Sequence, residues 1–275
     1  MPARINHNAH LRQVHRNLDV HYSGASRQIE KLSSGRRVNR SSDDPASLSL
    51  ADGINSEIRA LSEGGRNVQQ SVQMLQVAEG ALAEISDMVR RMQELSSQAA
   101  STTYNTNDRY AINQEFQSLK AEIQRVAEFT TYNGIPLLSE EQEFAIQAGP
   151  SETSNDVSRI ELGDMRASGE RLNIEALTID TMPSAQQSMD HLQLAQESVL
   201  SQRNRIAAFQ NRLVLSATTT ASIVEKMGTS ESEIRDADIA RSMTELTQSQ
   251  IMAQTAARFA LDVDNDIEQI LSLLR

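Results

Sequence analysis

The sequence has 275 residues, no Cys, no Trp, four Tyr and five Phe, with a formal charge of −11 and a pI of about 5.0. The acidic balance gives nucleic-acid binding little electrostatic support. No apolar run reaches the ~18 residues that a membrane span needs, and the missing thiols exclude disulfides and cysteine chemistry without choosing a compartment.

With so few aromatics, Leu, Ile, Val, Met and Ala must supply the core, and the five Pro and eleven Gly leave long stretches uninterrupted. That composition predicts a mainly α chain. The N-terminus is basic but has no apolar signal-peptide core, so no cleaved secretion signal is expected.

Residues 1–32 read as an N-terminal helix, with Leu11, Val14, Leu18, Ala25 and Leu32 on a heptad stripe that His21 and Gln28 interrupt. The polar, basic stretch 33–45 reads as a linker. It ends in Asp43-Asp44-Pro45, where an Asp cap and a Pro at the first helical position open the next helix.

A core domain is expected over 46–227, with helices at about 46–100, 107–130 and 183–227. Gly64-Gly65 lies inside the first of these, as a kink or as a point of close helix approach. Tyr132-Asn133-Gly134 carries turn chemistry.

From about 137 to 182 the period shortens to two. Phe144 and Ile146, Ile160 and Leu162, and Leu172, Ile174 and Ile179 read as short strands or hairpins. Gly228 to Ser232 reads as a break within a second linker, 228–238. The C-terminal helix, 239–275, carries the strongest stripe: Ile239, Met243, Leu246, Ala253, Ala257, Ala260, Ile267, Leu271 and Leu274, interrupted by Gln250 and Asp264.

The expected fold is thus an elongated antiparallel helical bundle or coiled coil with a small β-hairpin insertion and both termini at the same end. No nucleophile-and-base group, nucleotide loop or zinc spacing is visible, so no catalytic, metal or cofactor residues are assigned. His7 and His10 are spaced to share a helix face, but no third ligand stands beside them. Glu140-Glu141 and Asp43-Asp44 read as a solvated loop and a helix cap.

Several blocks are recognisable. Ile5-Asn6-His7-Asn8, the run Leu32 to Asn39 followed by Asp43-Asp44, and Val77 to Leu82 with Arg91 to Leu95 resemble motifs of the bacterial flagellins. Tyr132-Asn133-Gly134, Phe209 to Leu213, Ile234 to Asp238 and the ending Leu271 to Arg275 resemble later motifs of the same family, in the same order. The resemblance implies a short flagellin without large outer domains. Its terminal helices would pair as an inner-tube domain, and its inner helices with a β-hairpin would form an outer-tube domain.

The implied function is a structural subunit of the extracellular flagellar filament, not an enzyme, exported through the flagellar channel without a cleaved signal. Implied partners are further copies of itself, an export chaperone, the export apparatus, the filament cap and the hook-junction proteins. The animal flagellin receptor would meet Arg91, Leu95 and Glu115. Two other readings are a hook–filament junction protein and, in a different class, a coiled-coil signalling hairpin.

The expected assembly seam comprises Ile5, Leu11, Val14, Leu18, Leu32, Ile239, Met243, Leu246, Ala253, Ala257, Ile267, Leu271 and Leu274. Because so few of these are large, the ends are expected to be loose in the monomer and to order on polymerisation. Residues 1–40 are strongly basic, whereas the tail carries Asp262, Asp264, Asp266 and Glu268. Antiparallel terminal helices would bring that acidic cluster near Arg4, Arg12 and Arg16, so charge pairing is expected to replace part of the apolar seam.

Overall fold

In this computed structural model the backbone is described for residues 9–151, 153 and 156–273, with side chains described from 11 to 262 within those limits. The described elements are α1 Ala9–Ser34, α2 Pro45–Ala99, α3 Thr106–Phe129, β1 Thr131–Tyr132, β2 Ile135–Pro136, β3 Gln142–Gln147, β4 Val157–Leu162, α4 Met182–Arg235 and α5 Ile239–Leu273. They divide into two compact units. One holds the residues up to Ile58 together with those from Glu225 onward, and the other spans Arg59–Val224.

Helix starts follow local chemistry. The Asp44 carboxylate accepts the Ser47 backbone N–H at 3.1 Å, capping α2 ahead of Pro45. The Ser47 hydrogen bonds hold that carboxyl below the usual carboxylate range. Asn105 and Asp108 form a reciprocal capping box on α3. Asp238 accepts the Arg241 N–H at 3.0 Å and opens α5.

In the 59–224 unit, α2 and α4 run antiparallel around one core. Leu75, Leu82, Ile85, Met92 and Leu95 of α2 face Leu192, Val199, Ile206 and Leu213 of α4, and Phe116 and Ile123 of α3 complete the cluster. Polar pairs mark the register between the long helices. Gln196 donates to the Ser86 hydroxyl at 2.8 Å, Arg203 pairs with Glu79 at 2.8 Å, and Gln93 donates to the Leu192 carbonyl at 3.1 Å. Glu79, Ser86 and Gln93 repeat at heptad spacing, so a slip of the helices would break several bonds together.

Asn133 and Gly134 sit at φ of 52° and 78° between β1 and β2. Positive φ at both positions is what a two-residue hairpin turn requires, and Asn-Gly supplies it at low cost. The second hairpin pairs Phe144 with Ile160 and Ile146 with Ser158. Ile146, Ile160 and Leu162 turn inward while Glu143, Arg159 and Glu161 face solvent, which is the period-two pattern of a half-buried pair.

The structure departs from the sequence expectation in two places. Leu172, Ile174 and Ile179 are buried but are not in strands. Their segment folds through local bonds such as Asn173 N–H to Gly169 O and Ile174 N–H to Ala167 O. Side chains of α3 hold it in place: Lys120 donates to the Glu175 carbonyl at 2.6 Å, Gln117 to the Leu177 carbonyl at 3.1 Å, and Asn113 accepts the Ile179 N–H at 3.3 Å. Alternating burial here comes from a loop pressed onto a helix.

The second departure is in α4, which continues through 228–235 without a break. The Thr229 and Ser230 hydroxyls return hydrogen bonds to the Glu225 and Lys226 carbonyls, so these polar residues are satisfied inside the helix.

Gly64 and Gly65 separate cleanly. A Cβ on Gly64 would stand 2.2 Å from the Ala148 carbonyl oxygen, whereas a Cβ on Gly65 would meet open space. Gly64 therefore lets the end of β3 close onto α2. Gly64→Ala is expected to destabilise by about 1–3 kcal/mol through forced backbone movement. Gly65→Ala is expected to be neutral or to stabilise by up to about 1 kcal/mol. Urea unfolding of the two variants would check the contrast, and equal effects would refute the close-approach account.

Candidate assembly surface

The unit built from the two ends of the chain centres on α1 and α5, which lie antiparallel. Gln28 donates to the Glu245 carboxylate at 2.8 Å, and a Cβ on Gly24 would stand 3.5 Å from the Ser249 hydroxyl. Nearer the chain ends, Val14 and His21 line one cleft with Met252 and Phe259. Ala25, Ser242 and Ala253 are buried, and Leu246, Ser249, Ala256, Ala257 and Ala260 are half-buried. The intrachain contact line is therefore made mostly of small residues, which permit close approach but remove little area from water.

Large apolar side chains remain outside that line. Ile239, Met243, Ile251, Met252, Phe259 and Leu261 of α5 are all about half exposed or more, as are Val20, Tyr22 and Ile29 of α1. A cleft of about 210 Å³ on one side is lined by Val14, Asn17, His21, Met252 and Phe259, among others. One of about 530 Å³ is lined by Tyr22, Ala25, Ile29, Ala253 and Gln254, among others.

A clasp joins the inner ends of the two helices. Arg37 N–H donates to the Arg235 carbonyl at 2.7 Å, and Ala237 N–H donates to the Gly35 carbonyl at 2.9 Å. The Arg37 guanidinium reaches the Ile234 carbonyl at 2.7 Å. Gly35 has φ of 69°, a left-handed conformation that glycine adopts without strain. Arg235, largely buried, pairs with Asp52 at 3.1 Å and Glu231 at 3.6 Å. Two motif blocks almost two hundred residues apart in sequence thus close onto each other.

The same two blocks fall within family models. Residues 5–143 match the bacterial flagellin N-terminal helical region, and residues 189–274 match the bacterial flagellin C-terminal helical region. The chain belongs to the bacterial flagellin family. It is 32% identical to a flagellin of Halalkalibacterium halodurans, covering 98% of this chain and 99% of the relative. It is also 32% identical to flagellin FlaB2 of Treponema pallidum, again over 98% and 99%. A Vibrio parahaemolyticus structure described as a flagellar hook-associated protein aligns with TM-score 0.59 at 15% identity, over 70% of this chain and all of that one, a likeness of fold alone. A flagellin is a structural subunit of the flagellar filament, and relatives that match along their whole length give this chain that role.

Against this family background the residues singled out from sequence take definite places. Leu11, Val14, Leu18, Leu32, Leu246 and Ala257 are half-buried between or beside the paired helices, and Ala253 is buried. Ile239 and Met243, on the same sequence stripe, stand exposed in the single chain, where Ser242 is the buried residue of that turn. The Ile267 and Leu271 side chains, and Ile5 and Leu274 altogether, lie outside the described residues.

Arg12, Arg16 and Asp262 are exposed, and among the described residues no ion pair joins them. Arg4 and the side chains of Asp264, Asp266 and Glu268 lie outside the described set. Arg91 pairs with Glu94 at 3.0 Å and Glu115 at 2.8 Å, and those carboxylates raise its pKa in that order. Leu95 is 1% exposed and belongs to the core of its unit. The Gln28–Glu245 tie and the Ser242 and Ser249 positions were missed from sequence, because small and polar residues leave no mark on an apolar stripe.

Ala253 is 3% exposed, and an unpaired carboxylate there would have no partner. Ala253→Asp is expected to separate α1 from α5 at a cost of several kcal/mol while the 59–224 unit stays folded. Limited proteolysis should then cut α1 and α5 first, and an unchanged cleavage pattern would refute the packing described.

Proposed function

We propose that this flagellin polymerises by covering the apolar surface that surrounds its α1–α5 pair, so that neighbouring copies complete the burial the single chain leaves unfinished. The observation carrying this reading is the spread of exposed apolar residues around α5. Ile239, Met243 and Leu261 flank one side of the contact line, Met252 and Phe259 flank the other, and Ile251 lies at the back. Large apolar side chains exposed on several sides of one helix suit burial inside a larger assembly.

The family match at both ends of the chain supports a filament subunit, while the likeness to a hook-associated protein supports the junction reading at the level of fold only. A signalling hairpin has no support from either. We assign the chain no catalytic role and no cofactor.

Family membership further supports an extracellular filament location, export through the flagellar channel without a cleaved signal, and partnership with an export chaperone, the export apparatus, the cap and the hook-junction proteins. The animal flagellin receptor is a proposed partner as well. With Leu95 in the core, Arg91 and Glu115 would form its accessible contact.

The domain assignment proposed is an inner-tube part made by α1 and α5 and an outer-tube part made by the inner helices and hairpins. Charge pairing of Arg12 and Arg16 with the acidic end of α5 is proposed within or between copies. The antiparallel order, which sets Val14 near Phe259, supports it.

Phe259 is exposed in the single chain, so Phe259→Asp should change monomer stability by no more than about 0.5 kcal/mol. Under the assembly reading it should abolish lengthening of filament seeds. Electron microscopy of seeded reactions would decide, and normal filaments from this variant would sink the proposal.

For the charge pairs, Arg12→Glu should weaken seeded growth and Asp264→Arg should partly restore it. High salt should blunt both effects, since the screening length falls to ~3 Å at 1 M. Strictly additive behaviour of the double reversal would show that the two residues do not interact.

A further inference from the structure

The chain has ten methionines and no cysteine, so thioether sulfur is its only soft, readily oxidised group. The methionines differ sharply in access. Met74, Met92 and Met165 are buried, and Met88, Met182 and Met227 are half-buried. Met189 is 38% exposed, while Met243 and Met252 of α5 are 50% and 46% exposed. The two most exposed methionines among the described residues thus both lie on the helix whose apolar sides await a partner. They stand nine residues apart, about two and a half helical turns, which places them on opposite flanks of the α1–α5 contact. Met252 borders the cleft lined by Val14, His21 and Phe259. Met243 shares its flank with Ile239 and Leu261, both exposed.

We propose that Met243 and Met252 are peroxide-modification sites and that their oxidation stops the unpolymerised chain from joining a filament. In the step, the thioether sulfur attacks one oxygen of hydrogen peroxide. The sulfur–oxygen bond forms, the O–O bond breaks, and the departing hydroxide takes the proton of the sulfur-bound hydroxyl, leaving water and the sulfoxide. Sulfur is oxidised by two electrons to the sulfoxide and peroxide is reduced. The product is polar where the unmodified side chain is apolar, so an interface closing over it must bury a strong acceptor without a donor. One such group on each flank obstructs both sides of the helix. The buried methionines give the chain an internal reference, because the same reagent should reach them far more slowly. The proposal rests on the assembly reading for its consequence, but the modification itself rests only on exposure.

The test uses the full chain as monomer, treated with dilute hydrogen peroxide and followed by peptide mass spectrometry and by seeded elongation. Untreated monomer lengthening the seeds checks the assembly reading separately; if it fails to do so, that reading falls and not the oxidation preference. Met243 and Met252 are expected to oxidise roughly tenfold faster than Met74, Met92 and Met165. The oxidised monomer should need an at least roughly tenfold higher concentration to elongate. Thiol-dependent methionine sulfoxide reductases should restore elongation, and peroxide should slow the Met243→Leu/Met252→Leu chain, measured against its own untreated sample, far less than it slows the unsubstituted chain. Circular dichroism of each sample controls for unfolding. Equal oxidation of buried and exposed methionines would overturn the proposal. So would normal elongation by the disulfoxide chain, or equal peroxide inactivation of the Leu double variant.

Discussion

The constraint on which the terminal unit depends is the pairing of α1 with α5 through a contact line of small residues. Ala25, Ser242 and Ala253 are buried there, while Tyr22, Ile29, Ile251 and Phe259 remain exposed. Apolar burial contributes about 25 cal/mol for each Å² removed from water. A line of Ala and Ser therefore holds two long helices together only weakly. The same small residues bring the helices close and leave the larger side chains free at their flanks. Local structure and quaternary purpose are linked at this point, since the groups that would stabilise the pair most are directed away from it.

The clasp at Gly35–Arg37 and Ile234–Ala237 compensates for part of that weakness. Backbone hydrogen bonds and the Arg235 ion pairs tie the inner ends of α1 and α5 to one another and to the beginning of α2. Hydrogen bonds of this kind each contribute about 1 kcal/mol net, but their directionality fixes where the helices begin to run together. The seam then needs only to continue a register already set.

The 59–224 unit solves the same problem of two long antiparallel helices differently. Its core is rich in Leu and Ile, with Ala, Val, Met and Phe between them, and is covered by two hairpins and a folded loop. Stability there comes from apolar burial, and register comes from Glu79–Arg203, Ser86–Gln196 and Gln93 with the Leu192 carbonyl. A polar pair inside an apolar seam is favourable only in one alignment. The contrast between the two units matches their proposed roles: one is complete in the single chain, and the other is left to be completed by copies.

The sequence by itself determined where the helices lie apart from the end of α4, the Asp44 cap of α2, and the family. Heptad stripes, Asp44-Pro45 and Asn133-Gly134 are local signals, each read within a few residues of where it acts. Motif blocks in the right order identified a flagellin without any geometry.

The tertiary structure alone decided what those stripes touch. It left Ile239 and Met243 exposed in the single chain with Ser242 buried between α1 and α5, and it placed Leu95 in the core and Arg91 beside Glu115. It also showed Leu172, Ile174 and Ile179 as a loop held by α3. The physical reason is common to all three cases. An apolar period reports that a face avoids water, but which of several adjacent faces meets its own chain depends on small residues and hydrogen bonds supplied from far along the sequence.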